Sequence, residues 1–177
     1  MDTLSQRIDQ NIARVPDFPQ AGIQYKDITT LFQNPELCKE IVDAFAAFGH
    51  GKIDAVCGIE SRGFLFGLLI AQKLNLPFVL IRKQGKLPPP TVSQSYDLEY
   101  GKATIEIQPQ YIQQGKRYLI HDDVLATGGT AEASALLVEK CGGIVTQFSF
   151  IADLVFLNGK ERLSRFSTEI QSLVSYS

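Results

Sequence analysis

Apolar residues follow two patterns along the chain, helical spacing and short uninterrupted runs. Near the start, apolar residues at helical spacing predict a short amphipathic helix: Leu4, Ile8 and Ile12. A longer helix is predicted to begin at Asn34-Pro35, since asparagine caps helix N-termini and proline suits the first turn. We expect Gly49 and Gly51 to end it. Its predicted buried stripe consists of Leu37, Ile41, Val42, Phe45 and Phe48.

From residue 53 onward, short apolar runs alternate with helical segments. The runs predict strands at 53–59, 77–82, 103–107, 117–122 and 144–155. Helices are predicted between them at about 64–74 and about 130–140. This alternation indicates an α/β fold with a central, mainly parallel sheet flanked by helices, in which functional loops lie at the carboxyl ends of the strands. We expect residues 1–177 to form one domain.

Two segments interrupt the alternation. Residues 16–22, PDFPQAG, have the composition of a loop. Residues 83–102 carry three consecutive prolines, Pro88 to Pro90, and three lysines, with little apolar content. A loop this long in a compact domain is usually functional or disordered. We therefore expect a long, mobile hairpin between the strands on either side.

Composition and charge narrow the classes of partner. The chain is 45% hydrophobic and 20% charged, and its net charge of −2 gives no general attraction to nucleic acid or to an anionic membrane. No apolar run approaches the roughly 20 residues needed to span a bilayer. The polar N-terminus lacks a signal-peptide core, so we expect a cytoplasmic protein. Cys38, Cys57 and Cys141 are widely spaced and odd in number, which suits buried small side chains better than disulfides or a zinc site.

The strongest chemical signal is YLIHDDVLATGGTA, residues 118–131. A predicted strand ends in Asp122 and Asp123, and a turn of small residues then opens a helix. Glycines let backbone N–H groups converge on an anion, and the helix N-terminus adds partial positive charge. The two carboxylates suit sugar hydroxyls or the waters of a bound Mg²⁺. The segment matches neither a P-loop nor a dinucleotide fingerprint. A lone Gly-Gly turn would indicate only a tight turn; two acids and two threonines around it favour a ribose-phosphate site.

The segment resembles the phosphoribosyl pyrophosphate signature of type I phosphoribosyltransferases. Nearly the whole chain is similar to the adenine-specific members of that family. Four further stretches carry the resemblance, in the family's order: PDFPQAGIQYKDIT, GIESRGFLFG, VLIRKQGKLP and SYDLEYGKATIEIQ. The resemblance implies an N-terminal hood at about 1–33, a flexible flap at about 83–103 and a homodimer. It also implies adenine and phosphoribosyl pyrophosphate as substrates, with Mg²⁺ bound mainly through the pyrophosphate.

The resemblance assigns a role to each part of the site. Ribose-phosphate binding is expected from Asp122, Asp123, Ala126, Thr127, Gly128, Gly129 and Thr130. Pyrophosphate binding is expected from Glu60, Ser61, Arg62, Arg82, Lys83 and Lys86, the first three on a turn that often contains a non-proline cis peptide. Adenine binding is expected from Gln24, Tyr25 and Lys26, with the Tyr25 ring stacked on the base. In the flap, Glu99 matches the catalytic glutamate and Tyr100 follows it. No direct protein ligand for Mg²⁺ is implied; Asp122 and Asp123 would act through water.

The residues by themselves leave several alternatives open. Chemistry alone does not choose between Asp97 and Glu99 as the catalytic carboxylate. The sequence also fits Tyr25 as a packed aromatic side chain almost as well as a base-stacking one. A sister transferase for 6-oxopurines and a regulator that only senses phosphoribosyl pyrophosphate are the competing functions. The second lacks support from any basic stripe or helix-turn-helix extension. Departures from the family pattern occur at Lys26, Glu60, Pro88–Pro90 and His121, and His121 is expected to be a hydrogen-bonded core residue.

Overall fold

A seven-stranded sheet with helices on both faces makes up most of the described chain. The computed structural model describes residues 2–18, 20–22, 24–97 and 101–177. Its strands are β1 (Ala13–Pro16), β2 (Gln24–Asp27), β3 (Ala55–Ile59), β4 (Phe78–Lys83), β5 (Val92–Asp97), β6 (Lys102–Ile107), β7 (Arg117–Leu125), β8 (Ile144–Leu154) and β9 (Ile170–Tyr176). Its α-helices are α1 (Leu4–Asn11), α2 (Pro35–Gly49), α3 (Gly63–Leu74), α4 (Gly129–Lys140) and α5 (Gly159–Leu163), with 3₁₀ turns at Ile28–Gln33, Pro109–Tyr111 and Val155–Leu157. Over the described ranges, no helix has the length and apolarity to cross a bilayer.

The strand order in this sheet is β5-β6-β4-β3-β7-β8-β9. Strands β4, β3, β7, β8 and β9 run parallel to one another, whereas β6 pairs antiparallel with both β4 and β5. Helices α1, α2 and α3 bury one core cluster against the sheet, and α4 and α5 contribute to the other. The predicted α/β class with a mainly parallel central sheet is confirmed.

Helix α2 forms as its sequence predicts. The Asn34 side chain accepts a hydrogen bond from the Leu37 amide at 3.1 Å, and Pro35 occupies the first turn. The helix ends at Gly49, and Gly51 adopts the left-handed backbone with φ 71°. One detail of the predicted stripe is wrong, because Phe48 is only half-buried while four members are buried: Leu37, Ile41, Val42 and Phe45.

Two strand boundaries differ from the sequence prediction by two residues or more, and the others by one residue at most. Strand β3 begins at Ala55 instead of residue 53, and β7 runs to Leu125, three residues beyond its predicted end. The cause is β8, whose parallel pairing continues alongside β7 as far as Leu125 opposite Asp153. Asp122 and Asp123 therefore lie inside the strand and not at its end, where they were predicted. Strand β9 was not predicted, since IQSLVSY is an edge strand of mixed polarity.

The expected hood contains a separate antiparallel ladder formed by β1 and β2. The expected flap contains β5, which pairs with β6 from Val92 opposite Ile107 to Asp97 opposite Lys102. At the start of the flap, the buried Glu106 carboxylate accepts hydrogen bonds from the amides of Lys86 and Leu87 at 3.1 and 3.0 Å. The domain limits and the mobility of the flap remain predictions.

The three cysteines are unpaired. Cys57 is fully buried, as predicted, whereas Cys38 and Cys141 are half-buried. The Cys38 thiol donates a hydrogen bond to the Leu31 carbonyl at 3.2 Å. The cysteines thus act mainly as packing residues.

Candidate active site

A loop between β7 and α4 forms a small cup. Gly128 precedes the helix with φ 78°, a backbone conformation that glycine adopts without steric cost. No side chain of the described residues caps this helix, so its first amides are available to an anion. The cavity of about 70 Å³ is lined by Asp122, Val124, Leu125, Ala126, Thr127, Gly128, Gly129, Thr130, Ala131 and Phe150. All seven residues expected to bind the ribose phosphate are near one another, with Asp123 lining the adjoining cavities.

Asp122 and Asp123 lie side by side at the back of this loop. The Asp122 carboxylate accepts a hydrogen bond from the Asp123 amide at 2.9 Å. Burial raises the pKa of Asp122 well above its ordinary value, and the neighbouring Asp123 charge adds to the rise. Burial also raises the pKa of Asp123, although the positive charge of Arg62 opposes this rise. Arg62 Nε lies 2.9 Å from Asp123 Oδ2. Such carboxylates are stabilised by a ligand that brings hydroxyl donors or positive charge.

The turn after β3 faces these aspartates. The peptide between Glu60 and Ser61 is cis, and Arg62 follows it directly before α3. The Glu60 carboxylate accepts from Arg82 Nε at 3.1 Å and from the Lys83 amide at 2.9 Å. Burial alone would raise the pKa of Glu60, but these two partners outweigh it and the pKa is lowered. Glu60 therefore anchors Arg82 instead of presenting its charge to a ligand.

A cavity of about 290 Å³ opens beside this turn. Its lining is polar and carries both cationic and anionic groups: Ile59, Glu60, Ser61, Arg62, Lys83, Tyr96, Asp122, Asp123 and Thr130. Lys86 contributes through its backbone, since its carbonyl accepts from Arg82 Nη1 at 3.0 Å. Of the six residues expected to bind pyrophosphate, four line the cavity, and Arg82 and Lys86 lie behind it.

The hood covers a second cavity of about 290 Å³. Its lining combines β2 with the ends of β7 and β8: Gln24, Tyr25, Lys26, Arg62, Asp122, Asp123, Val124, Ala126 and Leu154. The Tyr25 hydroxyl accepts a hydrogen bond from Arg62, whose guanidinium carbon is 5.2 Å from the Tyr25 ring centroid. Phe18 packs edge-on against the same ring, with centroids 5.1 Å apart. Tyr25 is thereby oriented at the rim of a pocket of mixed polarity.

The three cavities meet at Asp122, which lines all of them. Thr130 is common to the cup and the polar cavity, and Ala126 to the cup and the hood cavity. The arrangement suits a ligand with an anionic group at one end, a second anionic group at the side and a flat ring under the hood.

Comparison with known proteins agrees with this geometry. Residues 26–152 match the family model described as the phosphoribosyl transferase domain. Over 167 residues the chain is 48% identical to the adenine phosphoribosyltransferase of Christiangramia forsetii, covering 94% of this chain and 96% of that protein. The chain belongs to the adenine phosphoribosyltransferase family.

Solved structures of adenine phosphoribosyltransferases share the fold. The enzyme of Thermoanaerobacter pseudethanolicus superposes with a TM-score of 0.93 at 42% identity, covering 98% of this chain and 100% of that one. The Saccharomyces cerevisiae enzyme, complexed with an imino-altritol bisphosphate and adenine, gives 0.89 at 38% identity, covering 96% and 98%.

Some of the predicted site residues are not brought together in the part of the chain that the structure describes. Glu99 and Tyr100 lie outside the described residues. The rival acid, Asp97, is exposed at the end of β5. Of the departures, His121 is buried, with Nδ1 2.8 Å from Ser149 Oγ, which confirms the expected core histidine. Burial lowers its pKa to about 3.

The sequence prediction missed several residues of this candidate site. Val124 and Leu154 form apolar walls of the hood cavity, and Tyr96 accepts a hydrogen bond from Thr130 at 3.1 Å. Val124 lies inside the recognised motif and could have been found there. Leu154 ends β8, so the rule that neighbouring parallel strands meet at their carboxyl ends indicates it once the strand order is known.

Proposed function

We propose that this chain transfers the phosphoribosyl group of phosphoribosyl pyrophosphate to N9 of adenine, releasing pyrophosphate and forming AMP. The observation that carries the proposal is the meeting of three cavities at Asp122. Their linings match the three parts of the two substrates in turn. The yeast relative named for this activity, whose complex contains adenine and a bisphosphate, supports the same assignment.

The 5-phosphate would bind in the cup. The free amides at the start of α4 and the Thr127 hydroxyl donate hydrogen bonds to its oxygens, and the Thr130 hydroxyl can do so if it exchanges its bond to Tyr96 for one to the phosphate. Asp122 and Asp123 then accept from the 2- and 3-hydroxyls of the ribose. Burial raises the pKa of both carboxyls and so disfavours their charged forms, and hydrogen bonds from the ribose hydroxyls would stabilise those charged forms.

Pyrophosphate would bind in the polar cavity. Arg62 and Lys83 supply positive charge there, and the guanidinium of Arg62 suits paired phosphate oxygens. Glu60 holds Arg82 behind the cavity, which keeps a further positive charge close to the leaving group.

The hood would hold adenine, with Tyr25 stacked on the ring. Main-chain groups of Gln24 and Lys26 read the 6-amino group and N1. Loss of pyrophosphate gives the anomeric carbon oxocarbenium character, and the flap excludes the water that would trap it. The Glu99 carboxylate then accepts the proton that the purine loses while N9 attacks the anomeric carbon.

Mg²⁺ is the cofactor that this chemistry implies. In the described part of the chain, no group of three or more His, Cys, Asp and Glu side chains could hold a metal ion. Asp122 and Asp123 are nevertheless hard oxygen donors, and Mg²⁺ is usually bound by one or two carboxylates together with substrate phosphates. The donors fit an ion carried mainly by pyrophosphate, where it would neutralise the leaving group's charge.

A purine panel tests the proposed reaction. Purified protein is incubated with phosphoribosyl pyrophosphate, Mg²⁺ and adenine, hypoxanthine, guanine or xanthine, and nucleotides are separated chromatographically. Prompt AMP formation from adenine is expected. A preference for 6-oxopurines would assign the chain to a sister transferase, and binding of phosphoribosyl pyrophosphate without turnover would make it a sensor.

A pair of matched substitutions tests the catalytic acid. Glu99→Ala is expected to reduce kcat strongly while leaving phosphoribosyl pyrophosphate binding nearly intact. Asp97→Ala, two residues away, is the control and is expected to retain most of kcat. The reverse ranking would transfer the role to Asp97.

We also propose that the chain works as a homodimer through the outer face of α3. That helix is apolar on both sides: Phe66 and Ile70 are buried, yet Leu65, Leu68 and Leu69 are exposed by 46%, 53% and 39%. Leu80 on the nearby β4 is 38% exposed. A patch of this kind is typical of a protein interface.

Light scattering during gel filtration tests the dimer. The unmodified chain is expected to elute at twice the mass of one chain, and the double substitution Leu65→Glu, Leu68→Glu to elute as a monomer. Ile144→Glu, at another exposed apolar position, is the control and should stay dimeric. A monomeric, fully active unmodified protein would refute the proposal.

The three free cysteines support a cytoplasmic location, because a reducing compartment preserves thiols.

A further inference from the structure

Tyr176, at the end of the last strand, contacts the hood on two sides. Lys26 Nζ of β2 lies 4.2 Å from the centroid of the Tyr176 ring. The Tyr176 hydroxyl donates a hydrogen bond to Asp9 Oδ1 of α1 at 2.8 Å. Asp9 in turn binds Arg14 of β1, with Oδ2 3.0 Å from the guanidinium. One side chain of the main sheet therefore contacts two elements of the hood directly and is linked to a third, β1, through Asp9.

The position of Tyr176 matters because the hood ladder is separate from the main sheet. Within the hood, Gln24, Tyr25 and Lys26 line the cavity proposed for adenine. On the main sheet, Tyr176 pairs with Leu154, which also lines that cavity. Tyr176 thus links Lys26 of the hood to the strand pair that contains Leu154, and both of these residues line the cavity.

We infer that Tyr176 is a positioning residue for base recognition, which fixes the Gln24–Lys26 backbone relative to Leu154 on the other side of the Lys26–Tyr176 contact. The inference rests on the proposed function, in that the hood cavity must hold adenine. Main-chain recognition of a base depends on where the backbone lies. The contact between the Lys26 ammonium and the Tyr176 ring restrains the backbone of β2 at Lys26. Lys26 is half-buried, so this cation–π contact is less weakened by water than one at the surface.

Steady-state kinetics of Tyr176→Leu and Tyr176→Phe test the inference. Tyr176→Leu removes the ring and is expected to raise KM for adenine about fivefold, the size of a partly desolvated cation–π contact. KM for phosphoribosyl pyrophosphate and kcat are expected to stay within about twofold. Tyr176→Phe keeps the ring and loses only the hydroxyl, so it should recover most of the adenine KM. Tyr111→Leu, at an exposed tyrosine of a distant 3₁₀ turn, is the control.

Calorimetry separates failure of this inference from failure of the proposed function. AMP occupies both the cup and the hood cavity, whereas ribose 5-phosphate occupies the cup alone. Tyr176→Leu is expected to weaken AMP binding about fivefold and to leave ribose 5-phosphate binding unchanged. An unmodified protein that bound ribose 5-phosphate but neither AMP nor adenine would refute the proposed function instead.

Two results would overturn the role of Tyr176. One is an adenine KM for Tyr176→Leu equal to that of the unmodified protein. The other is a rise in both KM values together with a lower Tm, which would indicate a general structural role. If Tyr176→Leu does not fold, Tyr176→Met removes the same ring with a flexible apolar side chain and must give the same adenine-specific rise.

Discussion

Replacing Gly159 by alanine tests whether α5 holds the phosphate cup in place. Gly159 begins α5 and is buried against the loop between β7 and α4. A methyl group at this position would lie 2.4 Å from the Ala126 carbonyl oxygen and 2.9 Å from the nearest Leu125 side-chain atom. The contact is mutual, since a methyl group on Gly128 would lie 2.9 Å from the Gly159 carbonyl oxygen.

The size of the clash sets the expected effect. The Ala126 backbone and α5 must separate by about 0.6 Å to bring 2.4 Å up to the 3.0 Å that real contacts reach. Since a misplacement of about 1 Å can cost on the order of a hundredfold in rate, we expect kcat/KM for phosphoribosyl pyrophosphate to fall roughly tenfold. Overpacking should also cost about 1–3 kcal/mol of the free energy of unfolding.

The assay compares Gly159→Ala with Gly115→Ala. Gly115 has φ 73° and nothing within 4 Å of an added methyl group, and it lies at the opposite end of β7. Alanine there costs about 1–2 kcal/mol of stability through its left-handed backbone and does not touch the cup. Initial rates at saturating adenine and varied phosphoribosyl pyrophosphate are measured, with Tm for each protein. If Gly159→Ala loses no more kcat/KM than Gly115→Ala, α5 does not position the cup.

Three further results are expected. Arg62→Ala removes the cation proposed to bind pyrophosphate and the partner of Asp123, so inhibition by pyrophosphate should weaken about tenfold or more; unchanged inhibition would exclude Arg62 from the subsite. Asp122→Asn removes one of two crowded buried charges, so Tm measured by scanning fluorimetry should rise by roughly 2–4 °C while AMP formation falls; a lower Tm would contradict the raised pKa. His121 has a pKa of about 3 in the folded chain, below its unfolded value, so its contribution to stability is lost as pH falls below about 6.5. His121→Leu should reduce the loss of unfolding free energy between pH 7 and pH 5 in urea titrations, and an equal loss would refute the assignment.

The parts of the site that the sequence predicts are those built from adjacent residues. The cup follows from glycines, threonines and acids that lie next to one another between β7 and α4, and it forms where expected. Arg62 is similarly local, since it sits between a strand and a helix that the apolar pattern identifies.

What the sequence does not predict depends on the order of strands in space. Leu154 and Tyr176 are far from the hood in the chain and reach it because β8 and β9 extend the sheet beyond β7. Gly159 meets the cup because α5 folds back against it. The role of Lys86 changes for a related reason: Glu106, on a strand across the hairpin, binds its amide and turns the residue into a backbone partner of Arg82.

The separation of the β1–β2 ladder from the seven-stranded sheet has a consequence for how such enzymes diversify. In the proposed function, the main-chain groups that read the base belong to one short piece of chain, whereas the sugar and its 5-phosphate are held at the β7–α4 junction. On this proposal, mutations in the hood ladder can alter which nucleobase is accepted without rebuilding the part of the site that holds the ribose phosphate. A library confined to residues 24–27 is the economical place to look for new base preferences.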